Sequence, residues 1–201
     1  ILDNANVTFN QTSAGTYSGI LSGTGSLLKV GSSTLTLAGA NTYTGGTTVS
    51  AGILQGTTTS LQGNILDNAR VTFNQSTTGT YAGIISGTGN LFKLGTGTVI
   101  LSGANTYSGG TTVSAGTLRG DTTSLQRNIA NSANVTFDQT TDGTYSGVMS
   151  GSGSMTKIGA GTLSISGANT YTGDTSIDAG CLAVDGSLSS NVLVGPAGKL
   201  G

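Results

Sequence analysis

Gly23 to Leu54 reads GTGSLLKVGSSTLTLAGANTYTGGTTVSAGIL, and the alternation inside this stretch sets the fold. Thr34-Leu35-Thr36-Leu37 alternates polar and apolar residues. In an extended chain that pattern puts both leucines on one face and both threonines on the other. Further short apolar segments, SLLKV before it and TTVSAG and ILQG after it, follow at intervals of about ten residues, with Gly or Asn between them. Gly and Asn tolerate the tight bends that join short strands. The stretch therefore predicts a succession of strands three to five residues long.

The same pattern recurs along the chain. VTFN begins at Val7 and again at Val71, and VTFD begins at Val135, the same interval further on. Tyr17, Tyr81 and Tyr145 keep that register, as do Lys29, Lys93 and Lys157 and the GANTY segments starting at Gly39, Gly103 and Gly167. The chain is expected to be one body made of three copies, 1–64, 65–128 and 129–192, followed by a short piece, 193–201. Evenly spaced strands also build sandwiches and barrels, so the long period leaves the architecture open. The finer spacing narrows it, because Val7, Leu27, Val49 and Val71 divide one copy into three nearly equal steps. A step of about 21 residues suits one coil of a parallel β-helix, and nine or ten coils stacked about 4.8 Å apart make a rod about 45 Å long. The fold class read from the residues is thus all-β, a single-stranded parallel solenoid of about 9–10 coils. Three sets of matching positions supply its buried column: Leu27, Leu91 and Met155; Val49, Val113 and Ile177; Leu54, Leu118 and Leu182. Ile53, Thr117 and Cys181, just before the last set, are too mixed for a core position and are placed outward or at a corner.

Composition excludes several classes of function. More than half of the 201 residues are Gly, Thr, Ser or Asn, which rules out a helical domain. Seven Lys and Arg against eight Asp leave a net charge of −1, so no basic field draws phosphates and nucleic acid is not an expected partner. No run approaches the roughly 18 apolar residues of a membrane helix. With no His, neither a Ser-His-Asp nor a Cys-His site can form, and one Cys makes neither an intrachain disulfide nor a thiolate metal cluster. The opening residues, ILDNANVTFN, lack a signal peptide's features and enter in mid-pattern, so the chain is expected to be part of a longer protein.

No catalytic, cofactor-binding or metal-binding residues are expected, and the chain is read as not an enzyme. Asp138, Asp142, Asp174 and Asp178 stand where the earlier copies have no carboxylate. They are the only candidates for cleaving a polysaccharide, a reaction that needs two carboxyls about 5–9.5 Å apart. Nothing in their spacing brings them together and no Trp accompanies them, so a solvated acidic surface is the expectation. The Gly-rich segment SGTGSLLKVG lacks the Asp of a calcium-binding β-roll. Tyr43, Tyr107 and Tyr171 are the candidate binding residues, as an aromatic ledge for glycan or protein; corner packing is preferred, because a register kept in every copy is what a corner demands.

The stretch Gly23–Leu54 resembles the passenger-associated β-strand repeat of type V autotransporters from Gram-negative bacteria. The likeness rests on Gly-x-Gly-x-Leu-x-Lys, Thr-Leu-Thr-Leu, Gly-Ala-Asn-Thr-Tyr-x-Gly and Thr-x-Val-x-Ala-Gly-x-Leu. It recurs from Gly87 to Leu118 and, with Asp174, Asp178 and Cys181 as departures, from Gly151 to Leu182. The resemblance implies a right-handed parallel β-helix, exported and then displayed at the cell surface or secreted. It also implies a C-terminal outer-membrane β-barrel in the same polypeptide, beyond this chain. The expected function is a structural stalk and adhesin, non-catalytic and needing no cofactor, that contacts host cell surface, extracellular matrix or glycans. Self-association of passengers into aggregates or fibres is the alternative, and a polysaccharide-active enzyme the third reading.

Overall fold

Ser26–Val30, Asn90–Leu94 and Ser154–Ile158 each alternate half-buried and buried residues, the signature of a strand with one face in a core and one toward water. A computed structural model describes residues 1–201, in which such strands, with no helix, stack as a parallel β-solenoid of about ten turns. Every strand pairing is parallel, each strand lying beside its counterpart one turn away. Three sides make a turn. The first side carries Asn6–Asn10, Ser26–Val30, Thr47–Val49, Ile65–Asp67 and Ile85–Ser86. The second runs in eight strands from Gly15–Tyr17 to Met149–Ser150, and the third includes Gly79–Tyr81, Thr98–Leu101, Thr117–Gly120, Asn134–Asp138 and Ser154–Ile158.

The register corrects the expected length of the coil. Val7 pairs with Leu27, Leu27 with Thr47 and Thr47 with Ile65, so that the partner of Leu27 falls two positions before Val49 and the third step is shorter still. Three turns from Val7 therefore end on Ile65, six residues short of Val71. One copy fills three turns and a third, and each copy is turned by one side relative to the copy before. The segment NVTFN of the first copy lies on the first side, RVTFN of the second copy on the second side, and NVTFD of the third copy on the third. The sequence period and the turn of the solenoid are different lengths, and reading the one as a whole multiple of the other gave a coil slightly too long.

A single column of 31 buried apolar side chains fills the interior. All nine residues assigned to it from the sequence are at most 1% exposed, and Ile53, Thr117 and Cys181 are half-buried. Burying each large apolar side chain contributes about 1.5–3 kcal/mol, and stacked turns share that column. At the GANTY segments the strand shrinks to two residues or is missing, and there side chains supplement the ladder. Asn41 Oδ1 accepts the Leu21 N–H at 2.8 Å while its amide donates to the Ser60 carbonyl at 2.7 Å. Asn105 does the same between Ile85 and Ser124. The Asn of GANTY thus stands in for backbone pairing, which a buried stretch of chain cannot forgo.

Candidate functional surface

Most of the polar chemistry the chain possesses is turned inward. Tyr43, Tyr107 and Tyr171 are 2%, 0% and 0% exposed. They sit in the column, with hydroxyls bonded to Thr47, Thr111 and Thr175 four residues on. Burial pushes the Tyr107 phenol up to about 12. The structure makes no aromatic ledge of them: each ring points into the column, where its hydroxyl is satisfied by a threonine partner. Tyr17, Tyr81 and Tyr145 pack against Phe9, Phe73 and Phe137, ring centres 5.1–5.4 Å apart.

Lys29, Lys93 and Lys157 were legible in the sequence only as landmarks, and each is fully buried. Alternation in SLLKV points the lysine inward, two residues past a core leucine. Lys93 Nζ donates to the carbonyls of Leu94 at 2.9 Å, Gly95 at 2.7 Å and, one turn away, Ala115 at 3.0 Å. Lys29 and Lys157 repeat this set with Val30, Gly31 and Ala51 and with Ile158, Gly159 and Ala179. Gly31, Gly95 and Gly159 have φ of 77°, 74° and 82°, so their left-handed bend turns the carbonyls onto the ammonium. The lysine clips one corner to the next turn. Burial lowers its pKa, and three acceptors use all its donors.

The aspartates of the third copy are spread over the surface in separate contacts. Asp138 pairs with Arg119 at 2.6 Å, Asp142 accepts the Thr162 N–H at 2.7 Å, Asp174 accepts from Asn191 at 3.2 Å, and Asp178 accepts from the Ser176 hydroxyl. No three Asp, Glu, Cys or His side chains gather anywhere in the chain. Cys181 is a free thiol, half-buried beside Thr162. Two carboxyls lie inside the stack, Asp3 at 6% exposed and Asp67 at 0%, and burial raises the pKa of Asp67 to about 6 against the pull of the Ala69 and Val71 N–H groups and of Arg70.

The passenger-associated-transport-repeat family model matches residues 27–55, 91–119 and 155–184. The chain carries three copies of the repeat found in autotransporter passengers. Each match runs from the inward leucine or methionine before the clip lysine, through the Asn-Tyr side, to the strand that carries the core position shared by Leu54, Leu118 and Leu182. The matched segments therefore contain the clip lysines and the asparagines of the side-chain ladder. The chain is 37% identical over 142 residues, 58% of its length, to the adhesin BmaC autotransporter of Brucella suis biovar 1 (strain 1330), of which it spans 4%. It is 52% identical over 56 residues, 28% of its length, to an extracellular serine protease of Serratia marcescens, of which it spans 5%. No solved structure matches it. An autotransporter passenger of this kind belongs at the cell surface or outside the cell.

Proposed function

We propose that this passenger chain is a non-catalytic stalk and adhesin: it holds other passenger sequence away from the outer membrane and presents its sides to host cells, extracellular matrix or glycans. One observation carries the reading. The groups capable of chemistry inside the stack are taken up by it: the lysines and buried asparagines hold one turn to another, the core tyrosines bond threonines four residues on, and the surface aspartates stand apart. The adhesin relative supports the adhesive part. The same repeats in a relative named as a protease support the scaffold part, since a fold carried by passengers of unlike activity does not itself supply the activity. In this reading the full polypeptide is tethered through a C-terminal outer-membrane β-barrel, and no cofactor takes part.

The test is the purified 201-residue chain laid on matrix proteins and on cultured host cells, with small-angle scattering on the same sample. Scattering from a rod about 45–50 Å long, together with monomeric, saturable binding, is expected. Multimers that grow with concentration and clump cells would replace adhesion by self-association. Release of reducing sugar from a polysaccharide, lost on Asp174→Asn, would overturn the non-catalytic reading.

A further inference from the structure

We propose that the edge between the first and second sides of the solenoid, where Arg70 and Arg127 stand, binds an acidic polysaccharide, one bearing carboxylate or sulfate groups. Of the seven cationic side chains, three lysines are buried clips and Arg119 is paired with Asp138. Lys199 lies on the last strand. The two that remain, Arg70 and Arg127, both belong to the middle copy and stand on one edge of the rod. Arg70 is the register partner of Asn90, the Leu91 N–H donates to the Gly110 carbonyl, and the Thr111 N–H donates to the Asn128 carbonyl. Arg70, Asn90, Gly110 and Asn128 therefore form one column, and Arg127 adjoins its end. Three turn spacings separate the two arginines along the axis, about 14 Å.

Arg127 is unusual in its backbone. Its φ is 62°, the only positive value at a residue other than glycine, and the first copy has Gly63 there with φ 65°. The backbone task at this position is to accept a tyrosine hydroxyl, Tyr81 onto Gly63 and Tyr145 onto Arg127, and glycine performs it as well as arginine. The guanidinium makes no hydrogen bond or ion pair within the chain, so the stack has no use for the side chain it strains to hold. Arg127 and Asn128 are shared by two surface hollows of about 300 and 270 Å³. Thr122, Gln126 and Ser146 line one and Ser108 the other, so hydroxyls and amides surround the charge. At the far end Arg70 lies 4.2 Å over the Phe92 ring, which sets its guanidinium beside an aromatic face.

The chemistry selects the ligand. A guanidinium takes a carboxylate or sulfate through parallel N–H bonds, and two such forks along one edge suit a linear chain with repeated anionic groups. The polar hollows match sugar hydroxyls. They lack the apolar pocket that an anchoring side chain of a protein partner would fill. Of the carboxyls nearest this edge, Asp67 is buried, makes no ion pair with Arg70 and acts on it only through its field, and Asp121 Oδ1 accepts the N–H groups of Thr123 and Ser124 in its own loop.

The proposal rests on the adhesive reading only for the source of the ligand, and a glycan assay tests it separately. The chain is passed over immobilised heparin, polygalacturonate and neutral dextran at about 150 mM salt. Retention on one or both acidic polysaccharides but not on dextran is expected; carboxylate is the recognised group if polygalacturonate holds the chain, sulfate if heparin alone does. Arg127→Gly should weaken retention about tenfold while leaving the melting temperature equal or higher, and Arg70→Gln should weaken it on its own. Unchanged retention of Arg127→Gly, equal retention on dextran, or tighter binding to polyglutamate or DNA than to either polysaccharide would overturn the proposal. If Arg127→Gly still binds matrix and cells while losing no glycan retention, adhesion stands and this edge is not its site.

Discussion

At one buried position the middle copy holds a carboxylate and the third copy an amide, and the pair works as an experiment already performed. Asp67 and Asn131 are both 0% exposed, and the Oδ1 of each accepts the N–H two residues on, at 3.0 and 3.1 Å. The amide of Asn131 then donates to the Ser154 carbonyl at 2.9 Å, whereas Oδ2 of Asp67, which takes the place of that nitrogen, has no partner. A neutral amide completes the network; a carboxylate completes it only when it carries a proton. At the clip the copies differ only in the Gln139 carbonyl, 3.5 Å from Lys157 Nζ. Lys29, Lys93 and Lys157 lie on the first, second and third sides and hold the same three acceptors. The contrast teaches that what surrounds a residue is set by the turns above and below it. Which side of the rod it occupies is immaterial.

The largest effect should come from the feature the copies share. Lys93→Met removes the donor from three carbonyls in one step, and leaving buried acceptors unsatisfied should cost about 4 kcal/mol. Lys157→Met, on another side, should cost the same. Urea titration of both checks this, and a difference of more than about 1 kcal/mol between them would break the equivalence of the sides.

Next comes the position at which the copies differ. Asp67 has a folded pKa of about 6, raised above its unfolded value of 3.8. Its contribution is therefore intact below pH 3.8, is lost as pH rises from there to about 6, and stays lost above. At pH 7 the buried charge costs about 3 kcal/mol. Asp67→Asn should recover most of that and flatten the stability profile between these limits, while Asn131→Asp should install the same dependence in the third copy. Melting curves across pH read both, and a wild-type profile that does not decline between pH 4 and 6 would refute the protonated network.

The smallest effect sharpens a contrast between the first and middle copies. Arg127→Gly restores the residue that the first copy has at Gly63, and relief of left-handed strain should stabilise the chain by about 1 kcal/mol. A destabilised variant would mean that the guanidinium does structural work the contacts do not reveal.

Much of this was legible in the residues. The alternation in Thr34–Leu37 and the matched positions Leu27, Val49 and Leu54 gave the strands and the column, because inward and outward alternate strictly along a strand. The length of the turn was less legible. Val49 and Val71 look like successive stations of one coil, yet Val71 pairs with Leu54, because the turn that follows Gly56 is shorter than those before it. The buried lysines were missed for want of any rule that puts an unpaired ammonium in a core. The signal was there in the SLLKV alternation followed by a glycine. Arg127 was missed because a single arginine in a polar loop carries no pattern; its left-handed backbone and its alignment with Arg70 exist only once the turns are stacked.

By itself, the sequence determined that this chain is β, repetitive and stacked, because strand alternation and copy-to-copy identity are properties of neighbours along the chain, and the motifs from Gly23 to Leu54 carried the resemblance to autotransporter passengers. Only the tertiary structure decided which copies share a side, which charges are buried and which two arginines stand on one edge. Those depend on the length of chain between a residue and the one stacked on it, which varies from turn to turn and does not fit a whole number of times into the repeat.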